Sequence, residues 1–178
     1  IKNMIEAHIK DGIAVTKFLY WIKNSNIRKL DEIKIEKKME SFRKQSKNYL
    51  FPSFDTIAGS GPNGAIIHYR SNKKSNRKLN KDHLLLVDSG GQYKWGTTDI
   101  TRTISFNDPS KKTKELYTRV LKGHIAVAMS KIDKLKNGNN IDKIARKSLN
   151  SINLDYRHGT GHGVGFFMNV HEGPQSIS

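Results

Sequence analysis

Twice along these 178 residues helical spacing gives way to strand spacing, and that repeated succession leaves few architectures open. Residues 4–23 carry apolar side chains at Ile5, Ile9, Ile13, Phe18 and Ile22, close to the period of a helix. Ile35, Met39 and Phe42 mark a second helix, about 34–46. Gly59, Gly61, Pro62 and Gly64 then punctuate a turn, and Ala65-Ile66-Ile67-His68-Tyr69 reads as a strand. Leu84-Leu85-Leu86-Val87 is a continuous apolar run of the kind found in strands covered on both faces. Thr98 to Phe106 alternates β-branched and polar residues and is the expected return strand. Asn107 and Asp108 before Pro109 predict the start of a helix that runs on through Leu116, Val120, Leu121, Ile125, Ala128 and Ile132. Beyond Asn137-Gly138-Asn139-Asn140 a further helix carries Ile141, Ile144, Ala145, Leu149 and Ile152, and a glycine-rich stretch, 158–166, leads to Phe167-Met168-Asn169-Val170-His171. No sequence repeat links the halves. The order of elements nevertheless predicts an internally duplicated α+β layout over 1–178. It would be a single domain without a dividing linker, its helices packed on one face of a curved, mostly antiparallel sheet.

Composition narrows the function classes. An apolar fraction of 35% against 27% charged suits a folded, soluble domain. No apolar run approaches the roughly 18 residues of a membrane helix, so no membrane partner is expected. The absence of cysteine excludes disulfides, thiolate catalysis and sulfur-ligated metals. The net charge of +16 is spread thinly, and its densest cluster, Lys73, Lys74, Arg77, Lys78 and Lys81, lies in a Ser/Asn-rich segment that reads as an exposed loop. Nucleic-acid sites gather basic residues on one face with stacking aromatics between them, so no nucleic acid is expected here.

The chemistry begins at Asp88, which directly follows four apolar residues, where an ionised carboxylate is costly unless paired. A turn centred near Tyr93 and Lys94 would set Asp99 across from Asp88 on an antiparallel pair, and facing like charges call for a cation between them. Two readings stay open: the aspartates cap turn amides, or they bind a hard divalent cation. Histidines add weight to the second. His158, His162 and His171 fall within fourteen residues, in a segment whose Gly159, Gly161, Gly163 and Gly165 oppose a helix and admit close approach of backbone to a ligand.

Four segments in one register resemble the cytosolic eukaryotic aminopeptidase P family. They are Gly61-Pro-Asn-Gly-Ala-Ile-Ile-His68-Tyr, Asp88-Ser-Gly-Gly-Gln-Tyr-Lys-Trp-Gly-Thr-Thr-Asp99-Ile-Thr-Arg-Thr, His158-Gly-Thr-Gly-His162-Gly-Val-Gly and Asn169-Val-His171-Glu-Gly-Pro. The resemblance implies the pita-bread fold, whose two halves are related by a pseudo-twofold. It implies two divalent metal ions, Mn²⁺ foremost, with Zn²⁺ or Co²⁺ also compatible. Asp88 is similar to a chelating ligand, Asp99 to the bridging ligand and His162 to a ligand of the other ion. His68, His158 and His171 resemble the histidines that hold the substrate backbone, with His68 and His171 beside the chemistry and His171 in proton transfer. The implied reaction removes the residue before a proline at position two, by attack of a hydroxide held between the metals. A cytoplasmic enzyme acting on Xaa-Pro peptides follows, and a homodimer is compatible with it.

Two departures stand out. Trp95 replaces an acidic residue in the expected turn, and little effect on the metals is expected from it. The family also supplies two Glu ligands from downstream strands. The chain starts at Ile1 and stops at Ser178, and both ends read as cuts through a longer polypeptide. The domain is therefore expected to be C-terminally incomplete and inactive on its own. A methionine aminopeptidase, a prolidase, or a binding module that has lost catalysis are the competing readings. Such modules lose their metal ligands, whereas Asp88, Asp99 and His162 are present.

Overall fold

The computed structural model describes residues 1–131, 134 and 137–178, which gather into two compact units. The first comprises Ile1–Asp108 with Val164–Val170, the second Pro109–Gly163 with His171–Ser178. Ile132, expected near the end of the third helix, lies outside the described residues.

In the first unit, helices α1 (Lys2–Lys23) and α2 (Glu32–Arg43) precede strands β1 (Tyr49–Pro52) and β2 (Ile57–Ser60). Strands β3 (Leu85–Ser89), β4 (Gly91–Tyr93), β5 (Gly96–Thr97) and β6 (Ile100–Ile104) follow. All pairings are antiparallel, in two sheets ordered β2-β3-β6 and β1-β4-β5. The core joins Phe18 and Ile22 of α1, Ile35 and Met39 of α2, and Ala58, Leu85, Val87 and Ile104 of the sheet. Helix α2 runs two to three residues earlier at each end than the 34–46 expected, and it starts at Glu32 because Asp31 Oδ1 accepts a hydrogen bond from the Lys34 amide at 2.9 Å, satisfying one otherwise unpaired donor.

Three expectations need correction here. Helix α1 buries Ala7, Asp11, Ala14, Val15, Phe18 and Ile22, while Ile5, Ile9 and Ile13 are 55%, 59% and 50% exposed. The large isoleucines lie on the wrong side of the helix: small side chains at 7 and 14 let it come close to the sheet. Strand β3 is covered on one face only. Leu85, Val87 and Ser89 are buried and Leu86 and Asp88 half-buried, so Asp88 lies on the sheet face away from the core. Residues 65–69 are not a strand. Gly61–Ala65 forms a 3₁₀ turn and the chain bends through Ile66–His68. That turn packs on β2 so tightly that a Cβ on Gly59 would lie 2.7 Å from the Gly64 Cα, which leaves no room for a ladder partner.

The second unit holds α3 (Lys111–Ala128), α4 (Gly138–Asn150) and the antiparallel pair β7 (Gly161–Gly163) and β8 (Glu172–Ile177). The cap of α3 is Ser110, whose hydroxyl accepts from the Thr113 amide at 3.1 Å, not Asn107 or Asp108 as expected. Pro109 therefore precedes the cap. Helix α4 starts inside the Asn/Gly stretch expected to lie between helices, because the Asn137 side chain accepts from the Asn140 amide at 3.1 Å and serves as its cap.

Candidate functional site

The two aspartates lie on one long hairpin, but not face to face. Asp88 pairs with Thr101 and Ser89 with Ile100, while Gln92 pairs with Thr97 and Tyr93 with Gly96. The turn is Lys94-Trp95, one position later than expected, which slides every partner by two. Carried through the gap between β5 and β6, this register sets Asp99 across from Gly90 and makes it a diagonal neighbour of Asp88 on the same face. Thr101 donates its hydroxyl proton to Asp88 Oδ1 at 2.6 Å, orienting that carboxylate. Only glycine fits at 90, since a Cβ there would meet the Thr98 carbonyl oxygen at 2.0 Å and Ser53 Oγ at 2.2 Å.

Beneath this hairpin lies a polar group that the sequence reading missed. Asp11 and Arg43 are 0% and 1% exposed and form an ion pair through Nε at 2.6 Å and Nη2 at 3.0 Å. Tyr93 OH and Thr98 Oγ1 complete the Asp11 carboxylate at 2.9 and 2.7 Å. Helix, hairpin and Thr98, the neighbour of Asp99, are thereby tied to one buried charge. Burial, then the charge of Asp11, raises the Tyr93 phenol well above its ordinary range, so it stays a donor at every working pH. Removing one partner of a buried pair leaves the other charge uncompensated. Arg43→Met is therefore expected to cost about 3–5 kcal/mol of stability, read as a lowered denaturation midpoint.

His68 is exposed and takes a left-handed backbone, φ 54°, in the turn where a strand was expected. A second buried group sets that turn. Glu32, 0% exposed at the start of α2, accepts from the Ser60 amide at 2.8 Å, Asn63 Nδ2 at 2.9 Å and the Tyr69 hydroxyl at 2.8 Å. It also accepts from the Arg77 amide at 2.9 Å. Tyr69, next to His68, is thus fixed from within, and burial raises its pKa. The basic residues Lys73, Lys74, Arg77, Lys78 and Lys81 do lie in an exposed loop, as expected, pinned by buried Leu79.

The remaining histidines belong to the second unit. His158, exposed, stacks on Tyr156 at 4.7 Å and 24°. His162 is on β7, with His171 edge-on to it at 4.2 Å and 67°. His162 Nδ1 lies 2.8 Å from the Gly163 carbonyl oxygen, which can only accept, so Nδ1 carries the proton and Nε2 is the basic nitrogen of the neutral ring. His158 Nδ1 meets the Gly159 oxygen in the same way, at 2.8 Å.

Arg146 organises this segment. Its guanidinium donates to Asp142 at 2.8 Å, Asp155 at 2.8 Å, the Tyr156 oxygen at 2.6 Å and the His158 oxygen at 2.8 Å. The Thr160 hydroxyl, then Arg146, hold the Asp142 carboxyl below its ordinary value of 3.8. A carboxyl lowered in the folded state contributes stability above its unfolded pKa and loses it as pH falls through the folded value. Asp142→Asn should accordingly lower the denaturation midpoint at pH 7, and the difference from wild type should shrink below pH of about 4.

The two carboxylates on one hairpin face are oxygen donors of the kind that suit hard divalent ions. Among the described residues, no three His, Asp or Glu side chains are gathered closely enough to hold an ion. Neither buried network was expected from the sequence, though Asp11 carried a signal: a charge at the i+4 position from Ala7 on the buried helix stripe.

The model of metallopeptidase family M24 matches residues 2–178. Xaa-Pro aminopeptidase 1 of Dictyostelium discoideum is 45% identical over 183 residues, covering 100% of this chain and 29% of its own length. Aminopeptidase P2 of Arabidopsis thaliana is 48% identical, covering 100% of this chain and 25% of its own. The chain thus spans under a third of the curated relatives it matches. Among solved structures, the X-prolyl aminopeptidase of Caenorhabditis elegans, described as a cytosolic enzyme with a di-nuclear active site, aligns at TM-score 0.90 with 36% identity, over 99% of this chain and 29% of that one. An Xaa-Pro dipeptidase from Bacillus anthracis aligns at TM-score 0.82 with 26% identity, over 100% and 49%. The architecture is the α+β pita-bread fold, and the chain belongs to metallopeptidase family M24.

Proposed function

We propose that the protein carrying this chain is a cytoplasmic, metal-dependent aminopeptidase that releases the N-terminal residue from peptides with proline in second position. The carrying observation is that four motif segments, Gly61–Tyr69, Asp88–Thr103, His158–Gly165 and Asn169–Pro174, stand in one register along a chain of this family. Residues 1–178 are then a stretch of one catalytic domain. In this reading Asp88 would be a ligand of one ion, Asp99 a ligand shared by two and His162 a ligand of the second. When bound, the ions, Mn²⁺ foremost, supply the hydroxide nucleophile and the charge that stabilises a tetrahedral oxyanion. His68 and His158 bind the peptide backbone at the scissile bond, and His171 binds it there and moves a proton. The edge-on contact of His171 with His162 supports a proton carrier held beside a ligand.

A second reading, cleavage of Xaa-Pro dipeptides, draws on the dipeptidase likeness. Tripeptides of the form Xaa-Pro-Xaa, assayed against Xaa-Pro dipeptides, separate the two. Aminopeptidase action requires turnover of the tripeptides, and turnover of dipeptides alone rejects it.

A further inference from the structure

Residues Val164–Val170 pack within the first unit, although the segments on either side of them belong to the second. Hydrogen bonds from the carboxylate hairpin hold this arch by its backbone. Gln92, 0% exposed, accepts from the Met168 amide at 2.8 Å and from the Thr97 hydroxyl at 2.7 Å through the same oxygen. Its amide nitrogen donates to the Tyr93 and Gly96 carbonyls at 2.9 and 3.2 Å, so the side chain is anchored to the hairpin turn. The single proton of the Thr97 hydroxyl is shared between Gln92 and the Phe166 carbonyl oxygen, which lies farther off at 3.1 Å. The Gly165 amide closes the arch by donating a hydrogen bond to the Asn169 carbonyl oxygen at 2.8 Å.

Such anchoring holds something costly in place. Met168 sits at φ 56°, a left-handed conformation that a non-glycine residue adopts only when its surroundings enforce it. Phe166, Phe167 and Met168 are all exposed, three consecutive apolar side chains on a fixed backbone. Thr97, which holds them, is two residues from Asp99, about 7 Å along the strand. An apolar surface fixed to the hairpin that carries both carboxylates has one evident use in a peptidase.

The geometry points to the 164–170 arch as a specificity element: Thr97 and Gln92 are positioning residues that hold it, and Phe166, Phe167 and Met168 receive an apolar side chain of the peptide substrate. This rests on the proposed peptidase activity and adds a substrate preference to it. The test uses the enzyme that carries this chain, with Thr97→Val, Thr97→Ser and Phe167→Ala. Amide hydrogen exchange across 164–170 reads the anchor without any activity. Thr97→Val, which keeps shape and loses the hydroxyl, should speed exchange at Met168 by at least tenfold, while Thr97→Ser should match wild type. Catalytic preference reads the surface, as kcat/KM for Leu-bearing against Gly-bearing Xaa-Pro-Xaa tripeptides varied at positions one and three. Wild type should prefer Leu at one of these positions by about tenfold or more. Thr97→Val and Phe167→Ala should each lose most of that preference, chiefly through KM, and Thr97→Ser should retain it. Equal exchange in Thr97→Val and wild type overturns the anchor, and equal kcat/KM for Leu and Gly peptides at both positions overturns the specificity role. Absence of all turnover with normal exchange behaviour would instead reject the peptidase reading and leave the anchor standing.

Discussion

Asp99→Asn, in the enzyme that carries this chain, should abolish measurable turnover and lower bound metal while leaving the fold intact. A carboxylate can give one oxygen to each of two cations, whereas the isosteric amide has one weak acceptor and no charge. The expected loss in kcat is at least on the order of 10²–10³, the scale set by removing a group that stabilises a developing oxyanion. Stability should change little, because Asp99 lies across from Gly90 and only diagonal to Asp88, so the variant relieves no direct repulsion. Denaturation of the metal-free forms checks that half of the claim. Unchanged metal stoichiometry in Asp99→Asn would return the residue to a turn-capping role.

His171→Ala is the second large effect. A residue in the proposed proton-moving role contributes roughly 10²–10⁴ to kcat, and its removal takes away none of the proposed metal ligands. His162→Ala should instead lose metal, since the contact of its Nδ1 with the Gly163 carbonyl leaves the proposed ligand role to Nε2. The 4.2 Å contact between the two rings makes this pair a stringent comparison, because a purely steric disturbance would affect both variants alike. Metal content of the two, measured side by side, decides it. Equal loss in both, or in neither, would refute the division of roles.

Much of this molecule can be read from its residues, and the misreadings have physical causes. Helix α2 was legible because Ile35 and Met39 are large and correctly spaced. Helix α1 was legible as a helix but not as a surface, because the periodicity of Ile5, Ile9 and Ile13 is as regular as that of the face that packs. Small residues mark its true contact, and a Cβ on Gly96 would lie 2.8 Å from the Ala7 Cβ. That closeness admits no isoleucine. The carboxylate register slipped by two because Lys94-Trp95 lacks the Asn-Gly or Asp-Gly signature that fixes a two-residue turn. Ala65–Tyr69 has a strand's composition, yet the Glu32 network holds Asn63 and Tyr69 from below and bends the chain between them. Such a group, assembled from residues far apart in sequence, has no local pattern to betray it. Asp88, Asp99, His158, His162 and His171 were conspicuous for the opposite reason: the aspartates flank an apolar run and its return strand, and the histidines crowd a segment too rich in glycine to be core.

The most direct test of the account is the metal dependence of tripeptide hydrolysis. The enzyme that carries this chain is stripped with chelator and titrated with Mn²⁺ while Xaa-Pro-Xaa cleavage is followed. The account predicts no turnover in the stripped enzyme and full recovery at two ions per chain. Undiminished cleavage by metal-free enzyme would contradict it.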